Sequence, residues 1–148
     1  MGPLTMLQSV KLERCNIYYF EPKKLANSVK QLSLAQNKIE EINSIKFGYK
    51  ENNYDLDQNI FWNWRRSTYL LTLDLSSNLF KEFPYNSISE PPVPNNSGEE
   101  AKLTLCKLDL SRNRIQNIDP GLDFKKFECL TQLDLSSNLL TEFPIALK

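Results

Sequence analysis

The feature that most constrains the fold of this chain is a short leucine-rich motif that recurs along the sequence. The stretch LTLDLSSN at residues 71–78 recurs as LTQLDLSSN at 130–138 and, with three changes, as LCKLDLSRN at 105–113. All three fit the template L-x-x-L-x-L-x-x-N-x-L. A chain that repeats one supersecondary unit in this way is expected to stack its units side by side.

The template fits the chain five times, and its spacing predicts strands that share one core. The fits begin at Leu7, Val29, Leu70, Leu105 and Leu130. Within each fit, the L-x-L alternation puts two apolar side chains on one face of a short strand. Parallel stacking then joins these side chains into a core that no single repeat could bury, and each leucine contributes roughly 1.5–3 kcal/mol.

One polar or thiol residue per fit stands where the chain leaves its strand. We call this set the ladder: Cys15, Asn37, Asn78, Asn113 and Asn138. An amide side chain carries both donors and an acceptor, so it can satisfy backbone groups that the turn would leave unpaired. The ladder is therefore predicted to be structural, with Cys15 a buried small hydrophobe rather than a reactive thiol.

The spacing of the fits predicts two insertions. Successive starts lie 22, 41, 35 and 25 residues apart, whereas a normal repeat of this kind has roughly 20–29 residues. The two long intervals indicate extra loops of roughly 12–18 residues, one within residues 44–66 and one within 85–102. The second is rich in Pro, Asn, Ser and Glu, which predicts a mobile and extended segment.

This pattern resembles the leucine-rich repeat family over most of the chain. The resemblance implies an α/β solenoid of about five repeats over residues 1–148: a right-handed superhelix with a parallel concave sheet and an irregular or helical convex side. It also implies a protein–protein interaction module. The loop-bearing repeats with Phe-Pro endings at Phe83–Pro84 and Phe143–Pro144 are similar to those of intracellular members, among them the Roco proteins, or leucine-rich repeat kinases.

Composition argues against several other classes of function. The chain has no histidine and only four glycines, which speaks against Ser-His-Asp catalysis, imidazole metal sites and glycine-rich phosphate loops. We therefore expect no enzyme activity, cofactor, metal or small-molecule substrate in this segment. Lys plus Arg equals Asp plus Glu at 18 each, so we expect no nucleic-acid partner.

Two further features bear on the surroundings of the protein. No run approaches the roughly 18 apolar residues of a membrane span, so we expect no membrane insertion. The three cysteines have no paired spacing, which favours a reducing, cytoplasmic location. Because the template begins near one end and a further repeat is due at the other, we expect an internal slice of a longer protein, whose other parts could carry GTPase or kinase activity.

Two groups of residues are candidates for partner binding. Asp74, Asp109 and Asp134 fall in one column of the concave face and suit a basic partner. Lys107 and Arg112 belong to the same candidate surface and are close enough to relieve the repulsion between the aspartates. The competing interpretation is that LDLSxN is the usual sequence of this motif in the family, so that the aspartates have a structural role and bind no partner. In the first insertion, Trp62, Arg65 and Arg66 suit an interface anchor. The competing interpretation is that Phe61 and Trp64 fill the core while the two arginines are solvated.

Three functional hypotheses remain open from the sequence. The first is an interaction module of a larger intracellular signalling protein, binding through the concave face or the insertions. The second is an intramolecular regulatory segment that docks on an enzymatic domain of a Roco-type chain. The third is a secreted receptor ectodomain that senses a ligand, which disulfide-forming cysteines or a glycan on Asn95 would support.

Overall fold

A computed structural model of the protein describes residues 6–20, 28–42, 70–85, 88 and 104–147. Five strands of three residues form one sheet in chain order, and every neighbouring pair is parallel. The strands are β1 Ser9–Lys11, β2 Gln31–Ser33, β3 Thr72–Asp74, β4 Lys107–Asp109 and β5 Gln132–Asp134. Short 3-10 helices lie at Phe124–Lys126 and Ile145–Leu147. The predicted parallel sheet of stacked repeats is confirmed.

Each strand occupies the third to fifth residues of its template fit, and the pairing keeps all fits in register. The middle strand residue therefore forms a continuous apolar row: Val10, Leu32, Leu73, Leu108 and Leu133. The three central members are no more than 2% exposed, whereas the two at the ends are only half-buried. Stacking against a repeat on each side completes the core.

The ladder asparagines join each repeat to the one before it. Asn113 donates through Nδ2 to the carbonyl oxygens of Leu75 and Leu110, both at 3.0 Å, and its Oδ1 accepts from the N–H of Phe80 at 3.1 Å. Leu75 and Phe80 belong to the preceding repeat. The same pattern recurs at Asn37, Asn78 and Asn138.

Cys15 does not occupy the buried position expected of it. Its side chain is exposed, and its Sγ contacts the carbonyl oxygen of Glu13 at 3.2 Å. The reason is its place in the stack, because no described residue forms a repeat before β1 against which the thiol could pack. The backbone N–H of Cys15 is nevertheless held by the ladder, donating to Asn37 Oδ1 at 2.9 Å.

Aromatic side chains close the side of the stack away from the sheet. The ring centroids of Phe83 and Phe124 lie 5.3 Å apart, and those of Tyr85 and Phe127 lie 5.8 Å apart. The Tyr85 hydroxyl also donates to the carbonyl oxygen of Asp123 at 2.9 Å. These contacts tie the third repeat to the fourth.

The first residues of the second insertion are packed against the core, contrary to the prediction of an extended segment. Tyr85 packs in the aromatic cluster and Ile88 is only 2% exposed, so an extended, mobile segment is wrong for these two residues. Both are large and apolar enough to be drawn into the core. The rest of that insertion, the first insertion and the expected core positions Phe61 and Trp64 lie outside the described residues.

A left-handed residue precedes every ladder position. These residues have φ between 53° and 57°: Arg14, Gln36, Ser77, Arg112 and Ser137. That conformation costs a residue other than glycine roughly 1–2 kcal/mol. Its recurrence at one template position shows that the turn out of the strand requires it. Arg112 therefore lies in the turn after β4 rather than on the strand.

Candidate protein-binding surface

The strands present a polar surface on the side of the sheet opposite the core. We call it the outer face and define it by the first and last residues of each strand. It comprises Ser9, Lys11, Gln31, Ser33, Thr72, Asp74, Lys107, Asp109, Gln132 and Asp134. All except Ser33 are exposed or half-buried, so the outer face is open to a macromolecular partner.

The strand register brings the three predicted aspartates together. Asp109 pairs with Asp74 on one side and with Asp134 on the other. Neighbouring strands lie about 4.8 Å apart, and two charges about 4 Å apart in water repel by about 1 kcal/mol. The fold tolerates this repulsion on an open surface, and the result is a local row of negative charge on a chain of zero net charge.

Each of these aspartates also has a structural role that the sequence analysis did not identify. Oδ1 of Asp74, Asp109 and Asp134 accepts the backbone N–H of the serine two residues later, at 2.9, 2.8 and 2.8 Å. This is an Asx turn, in which a side chain stands in for a backbone acceptor. The signal was present as the repeated D-x-S spacing. It supports the competing interpretation in part, because one oxygen of each carboxylate holds its own turn.

The second oxygens differ along the row. Oδ2 of Asp74 lies 3.4 Å from the hydroxyl of Ser33, which is nearer, at 2.8 Å, to Oε1 of Glu13. No described residue hydrogen-bonds to Oδ2 of Asp109, which is half-buried at the centre of the row. One oxygen at the middle of the row is therefore available to a partner.

Hydrogen bonding holds Asp134 in its charged form. The pKa of Asp134 is lowered by a hydrogen bond from the Ser136 side chain and then by the Ser136 backbone N–H, against a small opposing effect of burial. A carboxylate whose charged form accepts hydrogen bonds loses that stabilisation on protonation. The row therefore keeps a fixed charge at its fifth-repeat end at neutral pH.

The two predicted cations stand beside the row without contacting it. Lys107 and Arg112 are exposed, and neither is within 4.0 Å of a carboxylate oxygen of another described residue. The one ion pair among the described residues is Lys81–Glu40 at 3.9 Å, away from the outer face. Direct charge pairing with Lys107 or Arg112 therefore does not relieve the repulsion.

The structure brings together the aspartate row and Lys107, but does not test the second group of candidates. Trp62, Arg65 and Arg66 lie outside the described residues. Within the described part of the chain, no three potential metal ligands cluster. No helix there is long and apolar enough to cross a membrane.

Comparison with known families identifies the last two repeats. Residues 104–146 match the family model for Leucine Rich repeats (2 copies), a span that contains the fourth and fifth template fits with β4 and β5. The fourth and fifth fits are leucine-rich repeats. No match was found among curated proteins. The family match and the open parallel sheet together make the fold a leucine-rich repeat solenoid, and leucine-rich repeats are in general a non-catalytic module for protein–protein interaction.

Proposed function

We propose that this leucine-rich repeat solenoid binds a protein through the outer face and that the aspartate row receives a basic side chain of the partner. The observation that carries this proposal is the register, which aligns Asp74, Asp109 and Asp134 on an exposed surface. Oδ2 of Asp109 has no hydrogen-bonding partner among the described residues.

The chemistry of the row suits a lysine or arginine. A hydrogen bond to a charged group contributes about 1.5–3 kcal/mol, and a cation placed over Asp109 is also attracted by the carboxylates on either side. Because the site is open to water, complementary charge here acts more on association rate and choice of partner than on affinity. Affinity is then expected to come from neutral outer-face side chains such as Gln31, Thr72 and Gln132.

We place this binding in the cytoplasm, within a larger signalling protein. All three cysteines are free, which fits a reducing compartment better than a secreted ectodomain. If the partner is another domain of the same polypeptide, as in a Roco-type enzyme, the outer face serves as an intramolecular docking surface. The known-family match reaches leucine-rich repeats and goes no further, so the Roco origin stays a prediction.

The test removes the charge of the row without removing its turns. In the triple variant Asp74→Asn, Asp109→Asn and Asp134→Asn, the side-chain oxygen that accepts the serine N–H is kept. The control variant removes three exposed carboxylates that share one template position off the sheet, and so has the same net charge. Its substitutions are Glu41→Gln, Glu82→Gln and Glu142→Gln.

The readout is affinity capture from cell extract with quantitative mass spectrometry. The proposal expects a set of proteins that binds the wild-type chain and the control but is lost from the triple asparagine variant, more completely at low salt than at high salt. Equal capture by all three forms would exclude the aspartate row as the binding site. Capture of other polypeptides favours binding in trans, whereas cross-linking of the outer face to the parent chain favours intramolecular docking.

A further inference from the structure

The turns that follow the strands form a second polar surface beside the outer face. We call it the turn flank and define it, in the second, third and fourth repeats, by the residues directly before and after the ladder position. It comprises Gln36, Lys38, Ser77, Leu79, Arg112 and Arg114. All of these residues are exposed or half-buried. Each of these repeats has a described repeat on both sides, so their exposure does not arise at an end of the stack.

The residues after the ladder position are held in register by backbone hydrogen bonds. Lys38, Leu79 and Arg114 each donate an N–H to a carbonyl oxygen of the preceding repeat, at 2.7, 2.9 and 2.8 Å. They therefore stack at the spacing of the sheet, in which neighbouring strands lie about 4.8 Å apart. Lys38 and Arg114 are then about 9.6 Å apart along the stack, with Leu79 between them.

The charge of the turn flank is positive and unpaired. Lys38, Arg112 and Arg114 are its charged members, and it contains no acidic residue. All three cations are exposed, and none of them forms an ion pair with a described carboxylate. Arg112 and Arg114 lie on either side of Asn113, so one repeat supplies two guanidinium groups. On a chain of zero net charge, this surface attracts anions.

The neighbouring aspartate row limits the shape of the anion. Asp109 precedes Arg112 by three residues and carries the opposite charge. A DNA duplex or an anionic bilayer is broad enough to face the row and the turn flank together, so the carboxylates of the row would repel it. A single acidic segment of a protein is narrow enough to lie along the turn flank alone.

The spacing of the turn flank distinguishes between two kinds of acidic segment. In an α-helix, residues i and i+7 lie on one face about 10.5 Å apart, which is close to the separation of Lys38 and Arg114. Residue i+3 or i+4 lies between them on the same face, where it would meet Leu79. In an extended strand, residues on one face recur every roughly 6.6 Å, which matches the distance between neither adjacent nor alternate repeats.

We propose that the turn flank binds an acidic α-helix of a partner protein. One carboxylate of the helix pairs with Lys38, and a second carboxylate two turns further along pairs with Arg112 and Arg114. An apolar side chain between the two carboxylates packs on Leu79. Arginine suits this role, because its guanidinium group can bind a carboxylate through two parallel hydrogen bonds. The aspartate row takes no part in the contact, so the proposal stands independently of the proposed binding function.

A labelled synthetic peptide serves as the probe, and fluorescence anisotropy is the readout. The peptide is an alanine-rich helix with Glu at i and i+7 and Leu at i+4. It should bind the wild-type chain saturably, and more weakly at high salt. The triple variant Lys38→Gln, Arg112→Gln and Arg114→Gln should raise the dissociation constant about tenfold. Glutamine is compatible with the left-handed turn, since Gln36 adopts it in the second repeat.

Matched controls test the site and the helical spacing separately. The variant Lys30→Gln, Lys125→Gln and Lys126→Gln removes three exposed cations outside the turn flank and should bind the peptide as the wild type does. A peptide of the same composition with its glutamates at i and i+5, on different faces of the helix, should bind more weakly, and a short DNA duplex should not displace the first peptide. Absence of saturable binding, or a turn-flank variant that binds as tightly as the control variant, overturns the proposal. Equal binding of the rearranged peptide, or displacement by the duplex, overturns it as well.

Discussion

The central and terminal repeats share one template but differ in burial. Leu73 in the third repeat is 1% exposed, whereas Leu133, at the same position of the fifth repeat, is only half-buried. The difference does not come from the local sequence, since both leucines begin the same segment, LDLSSN. It comes from neighbours, because a repeat buries its leucines between the repeats on its two sides.

The ladder shows the same contrast for polar groups. Asn78 and Asn113 are 4% and 7% exposed, Asn138 is half-buried and Cys15 is exposed. An amide is needed where an earlier repeat has carbonyl oxygens to satisfy, as Leu34 has for Asn78. At the first repeat no described residue presents such an oxygen, so a thiol is tolerated.

The largest expected loss of stability comes from truncating a side chain in the middle of the apolar row. Leu108→Ala should lower the free energy of unfolding by about 2–5 kcal/mol, the range for truncating a buried leucine. Leu133→Ala should cost less than half as much, because that side chain already contacts water. Urea unfolding of both variants provides the measurement. Equal losses would mean that burial at the fifth repeat is completed in solution in some other way.

Substitutions in the ladder are expected to cause the next largest loss of stability. Asn113→Ala leaves the Leu75 carbonyl and the Phe80 N–H without their side-chain partner, which should cost about 2–3 kcal/mol. Asn138→Ala should cost about 1 kcal/mol, because water reaches the groups that it leaves. Cys15→Ala should change stability by less than about 0.5 kcal/mol. A large effect of the cysteine substitution in the same unfolding assay would contradict the assignment of Cys15 to an uncovered end.

The pH dependence of stability sharpens the comparison within the outer face. Because the folded-state pKa of Asp134 is lowered, its contribution is complete above the unfolded pKa of about 3.9. It is lost as pH falls through the folded pKa. Asp134→Asn should therefore reduce stability at pH 7 and have a smaller effect in acid, measured by urea unfolding at both pH values. Glu142→Gln, which removes an exposed carboxylate of the same repeat, is the control.

The smallest effect concerns the left-handed turn. Ser137 has φ of 55°, so Ser137→Gly should relieve roughly 1–2 kcal/mol of strain against roughly 0.5–1 kcal/mol of lost chain entropy. A net gain of about 0.5 kcal/mol is expected in thermal unfolding. Ser136→Gly lacks that relief and should destabilise the protein. Destabilisation by both changes would show that the turn imposes no strain.

Much of the fold was predictable because the template encodes it directly. The third to fifth residues of each fit are the strands, and equal template positions pair across the sheet. That register also aligned Asp74, Asp109 and Asp134, so the aspartate row followed from the sequence. Strand position and register depend on local periodicity, which a single sequence displays.

What the sequence did not show depends on contacts between repeats or on backbone geometry. Cys15 is exposed because no described residue forms a repeat before β1. The residues around Cys15 match the template and so give no sign of this exposure. The burial of Ile88 depends on the hydrophobic cluster that it joins, which the polar composition of the surrounding insertion does not reveal. The left-handed residues are Arg, Gln and Ser rather than glycine, so the usual residue signal for that conformation was missing.

Amide hydrogen exchange tests most directly whether each repeat is protected by the next one along the stack. The N–H groups of Leu75 and Leu110 donate to the following repeat at 2.8 Å, whereas no described residue accepts from Leu135 N–H. In dilute solution we expect Leu75 and Leu110 to exchange slowly and Leu135 to exchange fast. Equally slow exchange at Leu135 would contradict the account, because it would show that the fifth repeat is covered without a neighbour.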